Sequence, residues 1–233
     1  MDRFWLRIQA PFAAFQEFQA ATYLASAPVM PLSTAYGLVL NLAGIEMRPL
    51  TPTSPTGICA EVPALRIAVG LLSRPVKCTL IQQFHSYRIG VDKSAQELAK
   101  KTKGAKYWIS PIKREVLVDY VGMIGVESEN GAFQERVKRG LRGELPTPRY
   151  GLLFVGNANC LIDKIELVET PPTQTIWYSQ LQETDLLTAN SCRLTTHIDR
   201  DDSSKTLKWL FVPNESSSIP SDKVWVWFNQ HSS

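Results

Sequence analysis

Residues 3–9, RFWLRIQ, alternate apolar and polar side chains, with Phe4, Leu6 and Ile8 on one side, and residues 33–44, STAYGLVLNLAG, form an almost unbroken apolar run. The first stretch reads as a half-buried strand. The second reads as a buried helix with Ser33 as its N-cap and Gly44 at its end. Between them, Ala10–Pro31 carries Pro11, Pro28 and Pro31 among many small residues. It reads as a long ordered loop, and long loops in compact domains usually serve function.

Working outward, a proline-rich break (PLTPTSPTG, 49–57) precedes two strands, Ala64–Leu72 and Val76–Gln83, joined by a Ser-Arg-Pro turn. Residues 85–114 fit the core poorly, and strand character returns at 115–127, EVLVDYVGMIGVE. A second helix is expected at 131–142, where Phe133, Val137 and Leu141 share one face. Two apolar runs, YGLLFV (150–155) and LIDKIELV (161–168), flank a polar GNANC. The tail carries Asp199, Asp201 and Asp202, a Ser-rich turn at 216–218, and a last strand, KVWVWF (223–228). The order strand–helix–strand, strand–helix–strand with an insertion is that of an α+β, ferredoxin-like antiparallel sheet. The expected organisation is one such domain over 1–169, with a protruding basic insertion at about 85–114, and a β-rich extension over 170–233.

The chain has 233 residues, 44% hydrophobic and 20% charged, an ordinary globular mixture large enough for a substantial core. No run reaches the ~20 apolar residues of a membrane span. The opening MDRFWLRIQA holds Arg3 and Arg7 within its alternation, unlike a secretory signal. Cys59, Cys78, Cys160 and Cys192 are widely spaced with no CxxC and no nearby His, which argues against zinc and for reduced, mostly buried thiols in a cytoplasmic protein. No metal or cofactor is expected.

Net charge is only +3, so its distribution carries the argument. From His85 to Arg114 stand Arg88, Lys93, Lys100, Lys101, Lys103, Lys106, Lys113 and Arg114, opposed only by Asp92 and Glu97. Eight cations against two anions give +6 locally, leaving −3 for everything else. Tyr87, Tyr107 and Trp108 are interleaved with them. Cations attract phosphates, and an aromatic face accepts a stacked base for ~1–3 kcal/mol. The bland alternative is a solvated arm, with a lysine-rich helix at 94–103, whose charges only confer solubility; exposed aromatics have little use there. A second cluster, Arg136, Lys138, Arg139, Arg142 and Arg149, fits a phosphate-tracking face with Arg136 and Arg139 together, or an ordinary amphipathic helix. Asn157 and Asn159 lie in a GNAN turn whose amides can meet a phosphate, though a plain hairpin turn explains it as well.

For catalysis the inventory is thin: His85, His197 and His231, with no HExxH, GxSxG or paired-carboxylate signature. His85, beside Tyr87, is of the type that serves as general base on a ribose 2′-hydroxyl. The alternative to a binding protein is therefore a metal-independent endoribonuclease using His85, with Tyr87 or Lys106 assisting.

Several segments resemble the CRISPR-associated Cas-five family, in its DevS-like branch: APFAAFQEFQAATY followed by PVMPLSTAYGLVLNLAGIE, then QQFHSYRIG, REVLVDYVGMIGVE, and RYGLLFVGNANCLI with Gly156 and Cys160 in the family's places. The resemblance runs over about residues 3–168, and the tail matches least. It implies a non-catalytic RNA-binding (RAMP, RRM-like) subunit of a type I, I-B-like, Cascade antiviral complex, capping the 5′ handle of the CRISPR RNA. A thumb, here about His85–Arg114, would reach toward the Cas-seven-family backbone subunit, with the Cas-eight-family large subunit nearby and target DNA engaged indirectly. The handle would lie against the loop Ala10–Pro31 and the helix start Ser33–Tyr36, so Gln9, Phe15, Gln16, Tyr23, Ser33 and Tyr36 join the RNA-binding candidates. In transposon-guiding relatives the partners would include transposition proteins. The branch resembled leaves precursor cleavage to a separate endonuclease.

Overall fold

The computed structural model of the chain describes residues 2–20, 22–47, 62–87, 97, 100, 101, 107–147, 149, 151–182, 187, 188, 190–197 and 205–228. Eleven strands and two full helices appear among them, an α+β protein dominated by its sheet. The strands are β1 (Asp2–Ala13), β2 (Gln16–Ala20), β3 (Tyr23–Ser26), β4 (Leu65–Leu71), β5 (Val76–Tyr87), β6 (Tyr107–Ser128), β7 (Lys164–Val168), β8 (Ile176–Gln180), β9 (Cys192–His197), β10 (Leu207–Ser216) and β11 (Val226–Phe228). Helices α1 (Leu32–Leu42) and α2 (Ala132–Arg142) connect β3 to β4 and β6 to β7.

The 22-residue β6 organises the sheet. Its C-terminal half is flanked by β1, from Asp2↔Ser128 to Ala13↔Leu117, and by β4, from Leu65↔Ser128 to Leu71↔Gly122. With β7 on the far side of β1, the antiparallel order is β7-β1-β6-β4. The N-terminal half of β6 continues outward, paired with β5 from Val76↔Val118 to Tyr87↔Tyr107. Tyr23 and Leu24 of β3 pair in parallel with Lys113 and Arg114, and β2 closes onto β3. On the other flank β4 carries β8 and β11, followed by β10 and β9, so the tail extends the same sheet.

The reason for this layering is visible in β4, LRIAVGL, which is buried on both faces. Leu65, Ile67 and Val69 join Phe4, Leu6, Ile8, Ile124 and Val126 beneath the helices. Helix α1 is apolar nearly all round and accordingly buried. Its carbonyl end at Leu42 meets α2 at Gly140, where a Cβ would strike the Leu42 oxygen. On the opposite face Trp5, Trp177 and Trp225 gather with Ala68, Met123 and Val224, the Trp5 ring lying 5.5 Å from Trp177 and 5.7 Å from Trp225. Gly70 and Gly125 leave room for them: a Cβ at Gly125 would stand 2.6 Å from Trp5, and one at Gly70 2.9 Å from Trp177.

Several sequence expectations need correction. The first strand continues to Ala13, and the supposed loop Ala10–Pro31 contains β2 and β3, whose weak strand propensity is overridden by pairing of β2 with β3 and of β3 with β6. Helix α1 begins two residues earlier than expected. Pro31 occupies the N-cap position, with no side-chain cap, and Ser33 lies inside the first turn. The strand expected to end at Gln83 runs to Tyr87, and the one expected from 115 begins at Tyr107, so the two flanks of the basic segment are one long hairpin. Of the runs around GNAN, only Lys164–Val168 forms a strand; Phe154 and Leu161 make a single bridge. KVWVWF splits into a 3-10 turn, Asp222–Val224, and β11. Cys160 and Cys192 are buried but Cys78 is exposed. The break at 49–57, Cys59, Asp199, Asp201, Asp202 and His231 lie outside the described residues.

Candidate nucleic-acid interface

Past Ala13 the chain leaves β1, and three separate elements converge on residues 14–16. The Ala14 amide donates to the Val155 carbonyl at 3.2 Å, fixing the GNAN turn against the strand end. The Phe15 amide donates to Ser26 Oγ at 2.9 Å and the Phe15 carbonyl accepts from Ala27, tying in β3. The Phe15 ring is buried edge-on against Tyr120, 5.2 Å between centroids. The Lys113 amide donates to Thr22 O at 2.7 Å, which joins the β2–β3 turn to the root of the basic arm.

These elements enclose a cleft of about 300 Å³, lined by Phe15, Gln16, Leu24, Ile112, Arg114 and Asn157 together with Ala14, Gln19, Ala25, Ser26 and Glu115. Half-buried Arg114 donates from Nε to Gln82 Oε1 at 2.8 Å, which holds its guanidinium in one orientation. Asn157 accepts the Asn159 amide on Oδ1 at 2.9 Å, and its carbonyl accepts Cys160 N, which shapes the turn. Gly156 adopts φ 82 with a Cβ position blocked by the Ala14 carbonyl, so glycine is demanded twice over.

Glu115, also in the cleft's lining, has its carboxylate held by three partners. Tyr23 Oη donates to its Oε1 at 2.5 Å, the Ser26 amide to its Oε2 at 3.0 Å, and Lys77 Nζ lies 3.3 Å from Oε2. Burial alone pushes the carboxyl up, but the Tyr23 hydroxyl, the Ser26 amide and Lys77 together outweigh it and hold the group below its ordinary value. The same bond pushes the Tyr23 hydroxyl up.

Four sequence candidates thus meet in one cleft: Phe15, Gln16, Arg114 and Asn157. Tyr23 stands behind its wall, Lys113 is exposed beside it, and Asn159 completes the turn. Lys100 and Lys101 are exposed on helical backbone further along the arm. His85, Tyr87, Tyr107 and Trp108 occupy paired positions in the hairpin, His85↔Ile109, Ser86↔Trp108 and Tyr87↔Tyr107, with side chains outside the described set. Arg88, Lys103 and Lys106 lie outside it altogether. The remaining candidates are elsewhere. Gln9 is half-buried between β6 and β7. Tyr36 is buried, stacked on Phe228 at 4.9 Å and donating to Pro63 O. Arg136 donates to the Ala43 and Gly44 carbonyls at the end of α1, and Arg139 to Glu144 O, so both serve helix termini. The sequence reading missed Gln19, Leu24, Ser26, Ile112 and Glu115; Glu115 directly follows the last counted cation and looked like the first residue of a core strand. Among the described residues no group of three or more His, Cys, Asp or Glu could hold a metal ion, and no helix is long and apolar enough to cross a membrane.

No protein-family model matches the chain, and no curated protein is detectably similar. Among solved structures, a chain of a CRISPR RNA-guided surveillance complex shares its fold, with a TM-score of 0.55 and 13% identity over 96% of each chain. A second structure, described as a Cas protein, aligns with a TM-score of 0.49 and 15% identity over 93% of this chain and 96% of its own.

Proposed function

We propose that this chain is a non-catalytic subunit of a type I, Cascade-like CRISPR effector and that it holds the 5′ handle of the guide RNA. The observation that carries the reading is the cleft itself, where the first hairpin, the root of the +6 arm and the GNAN turn bring Arg114, Gln16 and Asn157 together. The fold shared with a chain of an RNA-guided surveillance complex supports it. So does the β-α-β-β-α-β order with strands β7-β1-β6-β4, which we assign as a ferredoxin-like, RAMP-type core in which the β5–β6 hairpin is the thumb. On this reading the subunit's neighbours are the backbone and large subunits, and target DNA is reached through the guide.

The test is salt-dependent RNA binding. Lys100→Ala, Lys101→Ala and Lys103→Ala together remove three cations, so the slope of log affinity against log salt should fall by about 2, at roughly 0.7 per single-strand phosphate contact. An unchanged slope and affinity would sink the arm's role. In the same preparation, repeat RNA incubated with EDTA should stay intact; a discrete cut abolished by His85→Ala would establish the endoribonuclease instead.

A further inference from the structure

Charge compensation separates Arg114 from the other half-buried cations. Among the described residues these are Arg7, Arg66, Arg114 and Lys138. Arg7 faces Glu166 at 3.6 Å, Arg66 holds Glu127 and Asp222 at 3.0 and 2.8 Å, and Lys138 lies 3.4 Å from Glu135. Of these, Arg114 alone has a neutral partner there, its Nε donating to Gln82 Oε1 at 2.8 Å. Resting on the nucleic-acid reading, we propose that Arg114 seats one phosphate group of the bound strand through the Nη groups of its guanidinium, and that Gln82 is the positioning residue that aims it.

Alternation along β6 sets up the site. Arg114 pairs with Leu80 of β5, and Gln82 follows two residues on along the same face. Glu115, next in sequence, turns to the opposite face, where Lys77, the Tyr23 hydroxyl and the Ser26 amide hold its carboxylate. The acid is thus spent elsewhere and leaves its neighbour uncompensated. The cleft opens on the Arg114 side, lined by Ile112, two residues earlier, and by Leu24, the β3 partner of Arg114. Burial pushes the Cys160 thiol up and the Arg114 charge pulls against it, so the guanidinium stands near the end of the GNAN turn.

With Nε committed to Gln82, the remaining N–H groups of the fork are the ones that match two phosphate oxygens at once. A partly desolvated cation without an anion is unfavourable, and a bound phosphate offsets that. Gln16 and Gln19 line the same cleft without charge. Asn157, its Oδ1 occupied by the Asn159 amide, can add a neutral donor from Nδ2. A volume of about 300 Å³ is at the low end for small-ligand sites and admits one nucleotide of a single strand rather than a duplex.

The experiment is anisotropy titration of the full chain, over a salt series, with one single-stranded RNA carrying either a 5′-hydroxyl or a 5′-phosphate. Arg114→Gln, confirmed folded by thermal unfolding, should bind about tenfold more weakly, with the slope of log affinity against log salt lower by about 0.7. Arg114→Lys keeps the cation but not the fork, so the slope should hold while affinity falls. Gln82→Ala should cost about threefold in the native background and nothing further in Arg114→Gln, a coupling that a merely structural role would not produce. Lys208→Gln removes an equal charge from β10 and should leave affinity unchanged. A deficit with both RNAs assigns an internal phosphodiester, and one confined to the 5′-phosphate RNA assigns a terminal phosphate; either supports the proposal. Native affinity and slope in folded Arg114→Gln overturn it, as does an equal loss in Lys208→Gln or a Gln82→Ala loss that persists in Arg114→Gln. Should Arg114→Gln not fold, unchanged affinity in Arg114→Lys and Gln82→Ala overturns it instead. Failure of the native protein to bind either RNA overturns the nucleic-acid reading itself, a separate outcome.

Discussion

Gly156 offers the sharpest test of how the cleft is assembled, because its neighbourhood can be separated into two physical contributions. Its φ of 82 belongs to the left-handed region, where a side chain costs roughly 1–2 kcal/mol. A Cβ would also meet the Ala14 carbonyl, backbone that cannot swing aside, and such overpacking costs typically ~1–3 kcal/mol. Gly156→Ala should therefore lose about 2–5 kcal/mol, or roughly 5–15 °C in melting temperature for a chain of this length. Gly143, at the end of α2, supplies the control: φ is 74, but nothing lies within 4 Å of its Cβ position. Gly143→Ala should lose only the first contribution, about 1–2 kcal/mol. The assay is thermal unfolding of both variants, followed by RNA titration well below either midpoint. Only Gly156→Ala should bind RNA more weakly, since only there does the Asn157 turn move away from Ala14. Equal melting losses would refute the close-approach argument, and unimpaired RNA binding by Gly156→Ala would refute the turn's place in the site.

Two further outcomes follow from charged clasps. The folded pKa of Glu115 lies below its unfolded value, so its stabilisation is complete above the ordinary glutamate range, ~4.3, and is lost as pH falls through the lowered folded value. The melting difference between native protein and Glu115→Gln should accordingly be present at neutral pH and vanish in acid; a difference independent of pH would exclude the ionised clasp. Arg66 bonds Glu127 at 3.0 Å and Asp222 at 2.8 Å and lies over Trp225 and Trp227. With Asp222 85% exposed and Arg3 still paired to Glu127, Arg66→Met should cost about 2 kcal/mol, a fall of roughly 4–8 °C, with a red shift of tryptophan emission. An unshifted midpoint would show that the clasp contributes nothing to holding the tail.

The elements that could be read from the sequence were those whose own pattern decides them. RFWLRIQ alternates because one face of β1 packs under the helices, and FQERVKR shows the amphipathic period of a helix lying on a sheet. The elements that could not be read owe their conformation to partners distant in the chain. Gln16–Ala20 and Tyr23–Ser26 have no strand signature, yet β6 offers Tyr23 and Leu24 a partner edge at Lys113 and Arg114, and β2 pairs with β3 in turn. The charge count found the arm but not the cleft at its root, because a cleft depends on contacts such as Ala14 to Val155, more than a hundred residues apart. Arg136 and Tyr36 have roles in the fold that the sequence did not show. A cation and an aromatic in suggestive places are used here to terminate a helix and to fill a core.

The location of the proposed site at the arm root follows from what the tail does to the rest of the sheet. A ferredoxin-like sheet with helices on one face leaves the other open, and RNA-recognition domains stack bases on that open face. In this chain the sheet face away from the helices holds three indoles from within: Trp5 from β1, Trp177 from β8 and Trp225 from just before β11. Gly70 and Gly125 let those rings lie close against the backbone, where any side chain would hold them off. Arg3 and Arg66, both paired with buried Glu127 and both over Trp225, then fasten the segment down, with Asp222 at the outer end. Displacing this arrangement would expose three tryptophans and leave a buried carboxylate without partners, a larger loss than stacking one or two bases could offset at ~1–3 kcal/mol each. On the function proposed above, a bound strand would therefore lie away from that sheet face and toward the cleft at the arm root, lined by Gln16, Arg114 and Asn157.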